Sequence, residues 1–444
     1  MDKLAKFFGL VRNEYIKINK KISTKIMLIL LLLSICAIPL LAAVEKNHIN
    51  DEDFNYIEDY NNNIAWLQRA KPEGYEIKIA QLNMLLDNKI SYDDWRYDMI
   101  TETDILSMNS SELGQLNNII ASNDWKSYLQ KKLTDNTLSS GQRWACSYRL
   151  ENNISFDEQY DKQNAIIDQV AEAKDQIELR NSGNAAGKPD GETLSQADQT
   201  VLLGTYQLEN NIPNNTAEQT NLFQTDDINF WSVFMTNKLI VSVVGFIIIV
   251  FAGGIIAMEF SQGTIKFLLI NPVKRGKILA AKYFTCITYG YILIAVVFLL
   301  SIPITGLFIG FDGINTPYLY VENGTVHEMS TFIYAIKLYL LSSISMVVMA
   351  TLAFAISYLV RSSALAIGIS VFFMCTGNTI MLVLNQLKQD WGRYLIFANT
   401  DLASIMDGSS LFPSHTLTFA VTVIVAHMAV FLLTAWDGFT KKSV

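Results

Sequence analysis

The stretch from Phe251 to Lys282 reads FAGGIIAMEFSQGTIKFLLINPVKRGKILAAK. Its first residues are the end of a long apolar run, which Glu259 closes. The residues that follow are too polar to cross a membrane, and bases precede the next apolar run. An Asn-Pro turn separates two short amphipathic pieces within it. Bases next to an apolar span are typical of the cytoplasmic face of a membrane. We therefore predict a compact helical loop over residues 259–282, pressed against that face.

Six apolar runs in the chain are long enough to span a membrane. Half of the 444 residues are hydrophobic, and a helix needs roughly 18 or more apolar residues to cross a bilayer core of about 30 Å. The predicted spans are Ile26–Val44, Leu239–Met258, Tyr283–Ile309, Thr331–Val360, Ala364–Leu384 and Thr416–Trp436. The sequence thus predicts an all-α polytopic membrane protein, with one span in residues 26–44 and five in residues 237–444.

Residues 1–25 form a distinct basic segment. It contains seven bases, and its apolar residues recur at the three- and four-residue spacing of a helix. The apolar stripe consists of Leu4, Phe7, Phe8, Val11, Tyr15 and Ile18, and Arg12 is among the bases. We predict an amphipathic helix in the cytoplasmic membrane interface, in contact with lipid. A cleaved signal peptide is the alternative, which the sequence Leu41-Ala42-Ala43 disfavours because the third-last position is not small.

Charge separates a soluble region from the membrane part. Residues 45–230 hold 32 acidic and 15 basic side chains, a balance of −17, whereas the remainder holds 10 and 19, a balance of +9. Helical periodicity dominates this acidic region, so we predict a mostly helical extracellular domain over residues 45–236, inserted between the first two spans. The basic segments place both termini in the cytoplasm. An exported region with one cysteine, Cys146, favours a bacterial plasma membrane.

A short pattern recurs in the predicted outer domain. Its three copies are Leu86–Ile90, Leu150–Ile154 and Leu208–Ile212. The third residue of each copy is asparagine, and in the last two copies the fourth residue is asparagine as well. We interpret each copy as a helix end in which asparagine adopts a left-handed cap and isoleucine returns to the core. Duplicated helical hairpins that form a ligand surface are the alternative interpretation.

The sequence contains no motif for catalysis. The four histidines are dispersed, so there is no HExxH pair or metal-binding cluster, and no phosphate-loop or dinucleotide fingerprint occurs. We expect no enzyme activity, metal or nucleic acid, and an energy source in another subunit or an ion gradient. Asn378 and His427 are polar residues within spans, and packing roles are expected for both. The scarcity of ionisable groups there disfavours an ion-coupled carrier.

The opening stretch resembles the loop between the second and third spans of type-2 ABC exporter permeases, of the bacitracin, lantibiotic-immunity and sodium-efflux kind. The shared pattern is an acid, Gly-Thr, paired leucines, a proline turn and a final Ala-Lys, represented here by Glu259, Gly263-Thr264, Leu268-Leu269, Pro272 and Ala281-Lys282. The resemblance implies a permease without its own ATPase site. It would work with a second permease subunit, identical or homologous, and with two copies of an ABC ATP-binding subunit that carries ATP and Mg.

In such proteins this loop is a coupling helix that docks on the ATP-binding subunit, with the N-terminal helix beside it. By position, the coupling residues would be Glu259, Gly263, Thr264, Lys266, Pro272, Lys274, Arg275 and Lys277. For Lys274, Arg275 and Lys277, a docking role and a purely topological role stay equally open. The implied cargo is amphipathic, either an antimicrobial peptide or a lipid-like molecule.

Two other functions stay open. One is a membrane-anchored extracellular sensor or assembly factor without transport, and the other is a gradient-driven secondary carrier. The long insertion after the first span is a departure from the simple members of the resembled family, and it leaves the cargo undetermined.

Overall fold

The chain divides into two compact units. One unit contains Met1–Asn47, Thr216–Ile314 and Ser330–Val444, and the other contains His48–Asn215 and Asn315–Met329. The computed structural model describes residues 2–51, 55–92, 94–182, 195–212, 228–263, 274–406, 410–412 and 415–441. Most of these residues are helical, as the sequence predicts.

The membrane part is formed by the first unit. Within the described residues, six helical stretches are long and apolar enough to cross a membrane, which confirms the predicted number. They are Ile22–Lys46, Phe230–Ser261, Arg275–Ile309, Thr331–Val360, Ser363–Gln386 and Leu417–Thr440. The protein is therefore a multi-pass membrane protein with mostly helical structure.

The chain before the inserted unit contains α1 (Asp2–Lys20) and α2 (Ile22–Asp51). The helices of the inserted unit are α3 (Tyr56–Ala70), α4 (Tyr75–Asp87), α5 (Trp95–Thr101), α6 (Ser110–Ser122), α7 (Trp125–Leu133), α8 (Ser140–Asn152), α9 (Asp161–Asn181) and α10 (Gln196–Asn210). The later elements are α11 (Phe230–Thr236), α12 (Ile240–Ile255), α13 (Ala257–Ser261), α14 (Arg275–Ile309), β1 (Tyr318–Glu322), β2 (Thr325–Met329), α15 (Thr331–Val360), α16 (Ser363–Gln386), α17 (Leu402–Met406) and α18 (Leu417–Lys441).

The second span lies at the centre of the membrane unit. Its α12 packs against α14, α15 and α16, and its side chains Ile248 and Ile249 are fully buried. A glycine permits one of these contacts, since a Cβ at Gly253 would lie only 2.8 Å from Cγ1 of Ile367 on α16. The second span therefore fixes the positions of the spans around it.

The inserted unit has two apolar cores. The core of α3 to α6 includes Tyr60, Leu85 and Ile100, and the core of α8 to α10 includes Ile167 and Val170. Both are formed by residues that repeat with helical period, which is why the sequence predicts helices there.

The three repeated helix ends adopt the predicted cap, with one difference. Asn153 and Asn211 have φ values of 53° and 51°, in the left-handed region. In the first copy the left-handed residue is Lys89, with φ 54°, so the expected asparagine cap is wrong there. The backbone bond is the same in all three copies, because the N–H of the final isoleucine donates to the carbonyl of the residue five positions earlier, as in Ile90 to Leu85 at 3.0 Å.

A β-hairpin departs from the predicted all-α fold. Strands β1 and β2 pair antiparallel with Tyr320 opposite His327, and they belong to the inserted unit, where the Tyr206 hydroxyl of α10 donates to Glu328 at 3.0 Å. The turn is Asn323-Gly324, with φ values of 51° and 77°. An Asn-Gly pair between strands is the sequence signal of a type I′ hairpin turn, and the sequence prediction overlooked it.

We expect opposite effects from two glycine substitutions in the inserted unit. A Cβ at Gly141 of α8 would lie 1.9 Å from the carbonyl oxygen of Ala171 on α9, so Gly141→Ala forces the helices apart, at a cost of about 1–3 kcal/mol. A Cβ at Gly114 of α6 meets nothing within 4 Å, so Gly114→Ala stabilises that helix by about 0.5–1 kcal/mol. Hydrogen–deuterium exchange of the full chain should show faster exchange in α8 and α9 for the first variant and slower exchange in α6 for the second. If Gly141→Ala does not speed up exchange in α8 and α9, the packing of α8 on α9 is contradicted.

Candidate functional site

The N-terminal helix α1 packs along α14, the third span. Phe7 places its ring 5.9 Å from that of Phe284, and the Tyr15 hydroxyl donates to Oγ1 of Thr288 at 2.7 Å. Val11 lies between them and is buried. One side of the predicted apolar stripe is thus covered by protein.

The other edge of the stripe is exposed. Leu4 and Phe8 are more than half exposed, and Arg12 beside them is exposed as well. The stripe of α1 is therefore wider than its contact with α14, and the predicted contact with lipid would fall on this open apolar edge.

The second span is interrupted near its end. Helix α12 stops at Ile255, and Ile256 (φ −100°, ψ −48°) separates it from the short α13. Side chains from two neighbouring spans bind the backbone groups at this break. The N–H of Ala257 donates to Oγ of Ser357 at 3.0 Å, and the carbonyl of Ile255 accepts from Nζ of Lys282 at 3.4 Å.

Lys282 is the centre of a buried ion cluster, formed by Glu14, Lys17, Glu259 and Lys282. Its ammonium lies 3.0 Å from Oε1 of Glu14 on α1 and 3.1 Å from Oε1 of Glu259 on α13. Lys17 contacts the same two oxygens at 3.3 Å and 3.1 Å. The cluster joins the N-terminal helix, the end of the second span and the beginning of the third.

Burial gives these contacts their importance. The Lys282 side chain is 3% exposed, and those of Glu14 and Glu259 are 10% and 12% exposed, whereas that of Lys17 is 54% exposed. Two ammonium groups and two carboxylates balance in charge. Burial lowers the pKa of Lys17, but the two carboxylates outweigh burial and hold this pKa above its usual value. The four side chains therefore hold each other in place.

The predicted coupling residues have different positions around this cluster. Glu259 belongs to it. Gly263 lies two residues beyond the end of α13 with φ 70°. Lys274 caps α14 and is exposed, and Arg275 and Lys277 are half-buried in its first turn. Thr264, Lys266 and Pro272 lie outside the described residues.

Sequence reasoning missed Glu14, Lys17 and Ser357. The available signal was Glu14, because it lies at helical spacing among the apolar residues Val11 and Ile18 of a basic segment. An acid on an apolar helix face requires a buried cation. The chain offers many lysines, and the sequence does not identify Lys282 as the partner.

A second polar site lies between the fifth and sixth spans. The Asn399 amide nitrogen donates to the carbonyls of Arg393 (2.8 Å) and Leu395 (2.7 Å), so its oxygen must accept the 2.8 Å bond from Nε2 of His415. Nδ1 of His415 is buried and is without a partner among the described residues. Burial, with a smaller contribution from Arg393, lowers the pKa of His415.

Two polar residues of the spans lie far from the ion cluster in sequence. His427 bonds the Val423 carbonyl of its own helix through Nδ1 at 2.9 Å, a contact in keeping with its predicted packing role. Asn378 is exposed on α16. Among the described residues, no hydrogen bond or ion pair joins these two residues to each other or to the ion cluster.

The spans and the ion cluster define a helical multi-pass membrane protein whose N-terminal helix is bonded to its second and third spans. Residues 209–444 match the family described as "Protein of unknown function (DUF2705)", and the chain belongs to this family. The match includes Glu259 and Lys282 but not the N-terminal helix.

Two proteins of Bacillus subtilis (strain 168) are similar to the chain. "Uncharacterized protein YhcI" is 34% identical over 248 residues, which are 55% of this chain and 76% of that protein. "Uncharacterized membrane protein YdbK" is 29% identical over 197 residues, 44% of this chain and 76% of that protein. No solved structure matches the chain.

Removing the ammonium at the centre of the cluster should be strongly destabilising. Lys282→Met leaves two carboxylates with little access to water, and breaking a buried pair in this way costs about 3–5 kcal/mol. The matched control Lys17→Met removes an exposed ammonium from the same carboxylates and should cost at most about 1 kcal/mol. Urea unfolding of the purified full chain in micelles measures both. Equal costs for the two lysines would show that Lys282 is not the central group.

The His415 site should make stability depend on pH. The folded-state pKa is below the ordinary value of about 6.5, so the unfolded chain binds more protons between the two values, and stability falls as pH drops below about 6.5. The contribution is fully present above that pH. Thermal unfolding at several pH values should show a smaller loss in His415→Gln than in the wild type. An identical loss in both proteins would exclude His415 as the cause.

Proposed function

We propose that the chain is the transmembrane permease subunit of an ATP-driven ABC exporter in a bacterial plasma membrane. The proposed cargo is amphipathic, an antimicrobial peptide or a lipid-like molecule that is moved out of the cell or its membrane. Two copies of an ABC ATP-binding subunit supply ATP and Mg, and a second permease subunit completes the assembly. The resemblance of residues 254–282 to the coupling loop of such permeases supports this proposal.

The observation that carries the proposal is the buried ion cluster. Residues 264–273 connect α13 to α14, and both attachment points of this connection adjoin the cluster through Glu259 and Lys282. A force on the connection would therefore act on two spans and on α1 together, since Glu14 is bonded to the same ammonium. A permease driven by a separate ATPase needs such a link between a docking loop and its spans.

The proposed orientation follows from the charges. Bases in α1 and in residues 259–282 lie on one side of the spans, which the positive-inside rule assigns to the cytoplasm. Both termini and the coupling loop would then be cytoplasmic, and residues 45–236, with their acidic excess, would be extracellular. In this orientation the loop faces the compartment that contains ATP.

Docking and coupling are expected to depend on different lysines. Lys274 is exposed beside the loop, so Lys274→Glu should weaken co-purification of an ATP-binding subunit from native membranes. Lys282 is buried, so Lys282→Met should retain the subunit but lose the change in ATP hydrolysis that assembly with the wild-type chain produces. Lys17→Met is the control for both measurements. The readouts are mass spectrometry of the purified complex and its rate of ATP hydrolysis.

The two alternative functions, a sensor or assembly factor and a secondary carrier, predict different results from these measurements. If no ATP-binding subunit co-purifies with the wild type, the exporter proposal fails and a sensor or assembly factor without transport takes its place. Flux that depends on a proton or sodium gradient and is abolished by His427→Ala would instead indicate a secondary carrier. If the Lys274→Glu variant still retains the subunit, the exporter proposal is kept, but Lys274 is not part of the docking surface.

A further inference from the structure

The connection between the fifth and sixth spans turns back toward the membrane. It begins after Gln386 and ends before Leu417, so both of its ends lie at the membrane surface. Its side chains Ile396 and Ile405 share an apolar core with Val348, which lies about 4 Å from the midpoint of α15 at 1.5 Å per residue. The polar groups of this connection therefore lie close to the boundary between hydrocarbon and lipid headgroups.

Among the described residues, Arg393 of this connection is a cation without an anionic partner. Its guanidinium carbon lies 5.1 Å from the ring centre of Tyr394 and 5.7 Å from that of Phe419. Nη2 donates to the Tyr394 hydroxyl at 3.2 Å, whereas Nε is buried and has no hydrogen-bond partner in the described chain. No described carboxylate forms an ion pair with Arg393. A guanidinium with a buried, unused N–H group is suited to an anionic ligand.

His415 presents a hydrogen-bond acceptor beside this cation. Its side chain is buried, and Nε2 carries the proton because it donates to the Asn399 oxygen. Nδ1 is then an acceptor in the neutral ring, and no described residue bonds it. Burial, with a smaller contribution from Arg393, lowers the pKa of His415 and favours this neutral form. The His415 ring lies 5.5 Å from that of Phe419, the ring that Arg393 also contacts.

Together these groups match a ligand that carries a phosphate and a hydrogen-bond donor. The Nε–H and Nη2–H of an arginine point the same way and bind two oxygens of a phosphate. Tyr394 is more than half exposed, so its hydroxyl can turn away from Nη2 and open the guanidinium to a ligand. The bare ring nitrogen of His415 accepts an N–H or O–H group next to that phosphate.

The surroundings indicate that the ligand comes from the membrane. Trp391 and Tyr394 are both more than half exposed, on either side of Arg393. Exposed Trp and Tyr at the end of a span are typical of the depth at which lipid headgroups lie. A phosphate at this depth belongs to a phospholipid, and ethanolamine is a headgroup that adds an N–H donor.

We propose that Arg393 and His415 bind the headgroup of one phospholipid, with its phosphate on the guanidinium and its N–H or O–H group donated to Nδ1 of the imidazole. This inference goes beyond the proposed function and does not rest on it. The site shares no residue with the ion cluster or with residues 264–273, so the two proposals fail or stand separately.

Competition for a photoreactive phosphatidylethanolamine tests the site in the purified full chain in micelles. The probe carries its reactive group near the headgroup, and mass spectrometry of peptides locates the cross-link. We expect a cross-link within residues 387–406. Unlabelled phosphatidylethanolamine should suppress it at about twofold to tenfold lower concentration than phosphatidylcholine with the same acyl chains, because choline has a phosphate but no N–H donor. Inorganic phosphate at the same concentration should leave the cross-link unchanged.

Variants assign the two contacts. Arg393→Gln should weaken binding of the probe about tenfold or more, as expected for loss of a charged hydrogen-bond donor. The matched control Lys388→Gln removes an exposed base from the same connection and should change binding less than twofold. His415→Phe keeps an aromatic ring against Phe419 but lacks the acceptor, so the two unlabelled lipids should then compete equally.

Three results would overturn the proposal. The first is a cross-link that is absent from residues 387–406 or as strong in Arg393→Gln as in the wild type. The second is equal competition by the two lipids in the wild type, which removes the headgroup donor. The third is suppression by inorganic phosphate, which assigns the site to a free anion. If Arg393→Gln does not fold, the competition in the wild type decides the question without it.

Discussion

The structure depends on the ammonium of Lys282, which is buried where three elements meet. A lysine ammonium has three N–H donors, and three acceptors are present: the carboxylates of Glu14 and Glu259 and the carbonyl of Ile255. Removing this charge from water is costly, and the cost is offset only if every donor is used. The position of α1 is therefore tied to the break in the second span. An N-terminal helix held by apolar contacts alone could slide along α14, whereas this one has its register set by a charge.

The second span carries this constraint to its other end. Trp231 at the beginning of that span is almost fully buried, and its indole N–H donates to the carbonyl of Ile314 at 3.1 Å. Its ring packs 4.8 Å from that of Phe332. Ile314 and Phe332 lie just before and just after the segment that forms the β-hairpin. The second span is thus held at one end by Lys282 and at the other by Trp231.

The sequence was sufficient for features that arise locally. Six spans and the helical character of the insertion follow from length, apolarity and period, and the left-handed caps at Asn153 and Asn211 follow from a short pattern. The hairpin had a local signal too, the Asn-Gly turn, which was overlooked. The ion cluster could not be derived in this way. Glu14 and Lys282 are separated by 268 positions, and a chain with 34 lysines and arginines offers many partners for one acid. Long-range pairing depends on how helices pack, which neither composition nor period specifies.

The cluster also changes the role that is expected of Glu259. From the resemblance alone, this acid would be part of the surface that docks on a partner. In the structure its Oε1 accepts from both Lys282 and Lys17, so it cannot neutralise a base on another subunit without leaving a buried ammonium short of a partner. A buried ion pair contributes little net stability compared with apolar packing, but breaking it is costly. Glu259 is therefore suited to fixing geometry, and the exposed base Lys274 is better placed to meet a partner. In the proposed exporter, docking and force transmission would then be separate tasks, assigned to neighbouring residues with opposite burial.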